Sequence, residues 1–296
     1  MQRLLTFAFI IPLCLLTIPI SCQVEFTTLD SADIEILGEL PDILDENSGN
    51  VLTPYGTLIG HNDSGSKPRL YEYTKSGQYI RKIKVEEAKS KDWEDITADA
   101  NYIYISDTGN NAGKRERLSV YRIPIPEQGN EDIELNAERI RFEYADRVPA
   151  ANPKLHNYDC ESLIVSGDSL FVFTKNRGDK RTKSYGFPAQ PGEYAVNARD
   201  EFNSGGLITG ADLRNGHLVL VGYNRVLGGF QGFIWIFWDF EGNDFFKGKY
   251  KRHDFPYLMQ TEAVLFVDDE HVVVTNEEEE GGIGRLHKIH IDNLKK

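Results

Sequence analysis

The sequence predicts a five-bladed β-propeller closed by an N-terminal strand, and three observations carry that reading. Short β-type runs bounded by turn residues recur along the chain, at 102–106, 169–173, 217–221 and 271–275 among others, while no stretch sustains a helical period. A polar anchor leading into a strand, a turn and a returning strand occurs five times, at Ser48, Glu94, Glu161, Thr209 and Glu262, with intervals of 46, 67, 48 and 53 residues. The segment after Glu262 has room for about three strands of ~5–6 residues, and the run 33–38, ahead of the first anchor, supplies a fourth. Closure of this kind hides the sheet edges that otherwise invite aggregation. The alternative, a six-bladed propeller, requires the 67-residue interval to hold two units, and no sixth anchor lies in it.

The 296 residues carry 33 Lys+Arg against 46 Asp+Glu, a formal net charge of −13, with 16 Phe, 14 Tyr and 3 Trp. So many aromatic residues exclude a disordered chain. The acidic balance argues against nucleic acid as a partner, because phosphate recognition relies on Lys and Arg displacing counterions. It equally disfavours adsorption to an anionic membrane. Residues 1–21 read as an export signal, with Arg3 the one charge before Glu25 and a long apolar run between them. A retained membrane anchor is the other reading of that run. Pro19-Ile20-Ser21-Cys22 resembles the lipobox of bacterial lipoproteins. That resemblance implies lipidation of Cys22 and a protein anchored in the cell envelope, facing periplasm or surface; without the lipid the protein is secreted. Cys14 leaves with such a signal, so Cys160 has no partner and no disulfide framework is expected. Residues 24–296 remain as a single propeller domain, read as a monomer.

The units follow in order. From Ser48 the chain returns at Asn62 and Asp63, and the runs 69–73 and 79–85 extend the same unit. From Glu94 it returns at Asp107, with Asn110 in the loop beyond; from Glu161 it returns at Lys175 and Asn176. From Thr209 it returns at Asn224, and the aromatic run 232–238 follows as a buried strand, or as a glycan-stacking platform if Trp235 or Trp238 is exposed. From Glu262 it returns at Asn276 and Glu277.

Anchors at the start of each innermost strand lie at one mouth of the central channel, and two antiparallel strands bring the chain back to that mouth. Ser48, Glu94, Glu161, Thr209 and Glu262 are therefore expected to face Asn62, Asp63, Asp107, Asn110, Lys175, Asn176, Asn224, Asn276 and Glu277. Carboxylates converging in a narrow channel raise one another's pKa unless a cation neutralises them. Oxygen donors without a His or Cys cluster suit a hard cation, Ca²⁺ ahead of Mg²⁺. The first five residues are the expected metal ligands, and the other nine the expected ligand-binding set. The plainer reading is that the Glu side chains accept backbone N–H groups across blade junctions. Arg69, Lys114, Arg115, Arg117, Arg177 and Arg225 fall in or near the mouth loops, either to hold an anionic group or as solvated charges.

The Ser–Glu–Glu–Thr–Glu order, with its longer second interval, resembles the five-bladed calcium-activated nucleotidases of the apyrase family. That likeness implies a central Ca²⁺ near Ser48, Glu94, Glu161 and Glu262, with Thr209 where Ser is usual. Asp92-Trp93-Glu94-Asp95-Ile96, the 106–111 loop and Asp159-Cys160-Glu161-Ser162-Leu163 are similar to uncharacterised exported bacterial propeller proteins, which implies fold and export alone. Three functions remain open. The first is a Ca²⁺-dependent hydrolase of a small anionic, phosphorylated substrate, with Glu94, Glu161 or Glu262 orienting or deprotonating water. The second is a non-enzymatic propeller that binds a cell-surface protein or glycan. The third is a glycosidase with paired channel carboxylates.

Overall fold

The computed structural model describes residues 26–296 except Ser66, Pro149, Ala151 and 278–282. The export segment and Cys22 lie outside the described residues. The chain forms five small antiparallel sheets in a ring, so the six-bladed alternative is overturned. Blade 1 comprises Asn47–Leu52, Leu58–Asn62, Arg69–Tyr73 and Tyr79–Glu86; blade 2 comprises Trp93–Ala98, Tyr102–Asp107, Leu118–Pro124 and Glu138–Tyr144. Blade 3 comprises Cys160–Ser166, Ser169–Thr174, Thr182–Pro188 and Asp200–Phe202; blade 4 comprises Leu207–Arg214, His217–Val226, Gly229–Trp238 and Lys249–Asp254. Blade 5 takes Thr261–Phe266, His271–Asn276 and Arg285–His290 from the end of the chain and Ile34–Glu39 from its start. The closing pair is antiparallel, with Ile34 opposite Ile289 and Glu39 opposite Arg285.

Why five units explain the uneven intervals becomes clear at the outer edges. Ile133–Asn136 leaves blade 2 and pairs in parallel with the last strand of blade 1, and Gly192–Val196 leaves blade 3 to pair with the last strand of blade 2. Thr27–Thr28, just ahead of the closing strand of blade 5, pairs in parallel with Lys249–Asp254 of blade 4. Each of these strands comes from the segment before a blade's fourth strand and covers the edge of the preceding blade, satisfying backbone groups that an open edge would expose. Blade 2 is longer than blade 3, which carries such a strand too, because a long connection holding the 3₁₀ turn Pro153–Leu155 runs from its last strand, ending at Tyr144, to Cys160 of blade 3.

The hydrophobic core lies between blades. Five clusters fill the five junctions: for example Val51, Ile59, Ile96 and Ile105 between blades 1 and 2, and Val219, Ile234, Val264 and Val272 between blades 4 and 5. Alternation along each strand sends one face to either neighbour. Trp235 is fully buried at the junction of blades 3 and 4, packed edge-on against Phe202, which removes it as a glycan platform; Trp238 is half-buried against the next junction.

Polar clasps take over at the channel wall. The Asp95 carboxylate accepts the backbone N–H of Ile96 (2.8 Å), of Leu163 in blade 3 (2.8 Å) and of Ala211 in blade 4 (3.3 Å). Asp212 likewise accepts Phe266 N–H of blade 5 (2.6 Å), and Thr275 of blade 5 donates to Asn47 of blade 1 (2.9 Å). These bonds fix the angles at which the inner strands converge, and so the width of the mouth.

Candidate metal centre

Every inner strand opens with a β-bulge. The pairing skips one residue between Asn47 and Gly49, Trp93 and Asp95, Cys160 and Ser162, Ile208 and Gly210, and Thr261 and Ala263. The skipped residues are Ser48, Glu94, Glu161, Thr209 and Glu262. A bulge leaves one residue out of the ladder and re-aims its side chain, so the anchors of the sequence repeat are the positions that the backbone turns out of the sheet. Opposite each bulge the second strand arrives at Asn62, Asp107, Thr174, Gly222 and Asn276. In blades 1, 3 and 5 the next residue, Asp63, Lys175 or Glu277, donates its N–H to the carbonyl of Glu46, Asp159 or Gln260, two positions before the anchor (2.9–3.0 Å). Blades 1, 3 and 5 thus place three side chains alike: one two positions before the anchor, the anchor itself, and one on the returning strand.

The anchors have different partners. Ser48 donates its hydroxyl to the Glu94 carbonyl (2.7 Å), and Thr209 donates to the Thr261 carbonyl (2.7 Å), each stitching one inner strand to the next. Glu161 is paired with Lys175 and lies 3.4 Å from Arg177. Glu262 accepts from the Gln260 amide at 2.6 Å, and the same amide reaches Glu277. Glu94 differs: it is buried, and its Oε1 has no hydrogen-bond partner. Ligand oxygens of Asp63, Asp92 and Glu94 all lie within 4.8 Å of one another. Gly109 covers them, since a Cβ there would sit 1.9 Å from Glu94 Oε1 and 2.4 Å from the Asp92 carboxylate. Only a residue without a side chain lets the loop pass so close.

Three carboxylates, one buried and two half-buried, crowd together here and raise one another's pKa. Burial pushes Glu94 well above the ordinary carboxylate range, and the charges of Glu161, Asp63, Asp159 and Asp92 add to this. Asp92 is raised to about 6 by burial, then by Asp63 and Asp159, with Arg115 opposing; Asp63 is raised by burial. Glu262 reaches about 7, again from burial, despite Lys175. These carboxyls bind protons more tightly folded than unfolded, so the stability they contribute is full at low pH and is lost as they ionise. The melting temperature of the metal-free protein is therefore expected to fall between about pH 4 and pH 7, the window from ordinary carboxyl values to those of Asp92 and Glu262. Calorimetry across that range checks it; a rising melting temperature contradicts it.

The other expected ligand-binding residues serve the loops. Asn62 donates to the Ile43 carbonyl (2.8 Å), Asn224 to the Gly205 carbonyl (2.9 Å), and Asn276 to the Glu277 carbonyl (3.0 Å). Asn110 donates to the carbonyls of Arg115 and Tyr158, and Asn176 to Asp179. Asp107 is bound by Arg115 at 3.0 Å and caps the N–H of Asp92 at 3.1 Å. Of the residues singled out in the sequence, the structure gathers Glu94 with Asp63, and Glu161 with Lys175. Asp92, the third carboxylate of the cluster, is not among the expected site residues; its signal in the sequence is the carboxylate pair flanking Trp93, at the bulge. Cys160 is buried, and burial pushes its thiol up to about 12, so it is no activated nucleophile.

No family model matches the chain, and no curated protein matches it. Among solved structures it is similar to the exo-β-1,3-galactanase of Phanerochaete chrysosporium. The form with β-1,3-galactotriose shares 10% identity at a TM-score of 0.52, over 86% of this chain and 64% of that one. The form with galactose shares 11% at 0.50, over 90% and 62%. The chain thus spans less than two thirds of that enzyme's length. The WD40 domain of Neurospora crassa Pan2 overlaps at a TM-score of 0.40 with 11% identity, over 89% of this chain and 97% of that one. The galactanase likeness places the chain among propellers and says nothing about its chemistry.

Proposed function

We propose that the protein is an exported five-bladed propeller that binds a divalent cation, Ca²⁺ ahead of Mg²⁺, at one mouth of its channel through Asp63, Asp92 and Glu94. The observation that carries this is the partnerless, buried Oε1 of Glu94, aimed at two further carboxylates within 4.8 Å. An all-oxygen, carboxylate-rich donor set fits a hard cation. Export and a lipid on Cys22 rest on the apolar leader and its lipobox-like end.

Beside that centre the chain has groups suited to hydrolysis of a small anionic, phosphorylated substrate. A bound Ca²⁺ supplies charge stabilisation at a phosphoryl oxygen. Glu262, held up to about 7 by burial, can take or give a proton near neutral pH. Arg177 is half-buried at the mouth, holding Asp159 at 2.7 Å with one edge of its guanidinium, and fits an anionic group. A second reading, a binding module for a cell-surface protein or glycan, is favoured by the hairpin tip of blade 4, where Leu227 is fully exposed and Leu258 lies beside Gly228. Glycoside hydrolysis is the third.

Thermal melts with Ca²⁺ or EGTA, followed by assays of phosphate release from nucleoside diphosphates and sugar release from aryl glycosides, separate these readings. Saturating Ca²⁺ is expected to raise the melting temperature by ~5–10 °C, as ligand at a hundredfold excess over Kd would. No shift contradicts cation binding. A shift with neither activity leaves the binding module.

A further inference from the structure

We infer that Lys175 is a resident cation: its ammonium fills the part of the mouth bounded by Glu161 and Glu262 and so limits the channel to one divalent ion. This rests on the reading of the Asp63–Asp92–Glu94 centre as a cation site. The repeat itself points to the role. Asp63, Lys175 and Glu277 are the equivalent residues of blades 1, 3 and 5, each placed by the same backbone bond two positions before the anchor. Two of the three carry a carboxylate, and blade 3 carries an ammonium in its place.

The two parts of the mouth are balanced differently. Among the described residues, no Lys or Arg forms an ion pair with Asp63, Asp92 or Glu94. In the neighbouring part of the mouth, Lys175 contacts the Glu161 carboxylate, and both side chains are buried, 6% and 4% exposed. Its Nζ also lies 5.1 Å from the centre of the Tyr223 ring, which suits a desolvated ammonium. The Gln260 amide, with no charge, joins Glu262 to Glu277. Remove the ammonium, and Glu161, Glu262 and the half-buried Glu277 become a second set of oxygen donors, balanced only by Arg177 at 3.4 Å from Glu161. A cation costs least where a carboxylate group is unbalanced, so the vacated part becomes a second site.

Calcium stoichiometry and affinity, read by isothermal titration on the purified protein, test this with three chains. Wild type is expected to bind one Ca²⁺, and Lys175→Arg, which keeps the charge, to match it. Lys175→Met keeps the stem against Tyr223, and is expected to bind a second Ca²⁺ or to hold the first about tenfold more tightly, as loss of a nearby like charge predicts. Wild type binding two Ca²⁺ at the mouth overturns the inference without any variant, which covers a Met chain that does not fold. One Ca²⁺ bound with equal affinity by wild type and Lys175→Met overturns it alone. If neither binds Ca²⁺, both the inference and the cation site fall. Binding by Lys175→Met but not by wild type overturns both, because the inference needs a wild-type chain that holds one ion.

Discussion

Glu94→Gln is expected to make the metal-free protein more stable and, at the same time, deaf to Ca²⁺. The two effects have one cause. Glu94 is buried with an oxygen that has no partner, and it is surrounded by carboxylates that push it well above the ordinary range. Glutamine keeps the shape and removes the charge. Relief of an uncompensated buried group is worth about 1–3 kcal/mol, or roughly 3–10 °C in a domain of this size. The gain is expected at pH 8 and is smaller at pH 5, where the wild-type carboxyl already holds a proton. Melting curves with and without Ca²⁺ at both pH values measure it. A Gln variant that keeps the full Ca²⁺-induced shift removes Glu94 from the centre.

Asp95→Ala is expected to produce the largest loss of stability of any single change at the channel wall. One carboxylate serves three backbone N–H groups from the inner strands of blades 2, 3 and 4, at 2.8, 2.8 and 3.3 Å. Alanine leaves all three buried and unpaired, at about 1–3 kcal/mol each. Even with partial relaxation the midpoint of urea unfolding should fall by the equivalent of several kcal/mol, on the order of 10 °C in melting temperature. Asp95→Asn keeps one acceptor oxygen and is expected to lose less. A midpoint unchanged in the alanine variant would show that the three blades are not held through this side chain.

Much of the fold is legible in the sequence because a propeller repeats one local solution. Polar anchors recur where the inner strands bulge, and the alternation of 33–38 is enough to place the closing strand, observed at Ile34–Glu39. What the sequence hides is long-range. The parallel edge strands at 133–136 and 192–196 are short, half-exposed and indistinguishable locally from loop. Their pairing depends on which blade lies alongside. The site was legible in its positions and less so in its groupings. Ser48 and Thr209 occupy ring positions like Glu94, yet each hydroxyl donates to a carbonyl of the next blade, a long-range contact that local sequence does not carry. Asp92 and Glu94 lie under Gly109 and meet Asp63 of blade 1, and no spacing rule within blade 2 alone contains that contact.

Crystallography in Ca²⁺ tests most directly whether a divalent cation sits between Asp63, Asp92 and Glu94. An anomalous-difference map is expected to show one strong peak at the channel mouth, about 2.3–2.6 Å from oxygens of all three carboxylates. The Glu94→Gln crystal, grown alongside, should lack it. A mouth empty of density at saturating Ca²⁺, or a peak bound by other residues, would contradict the account.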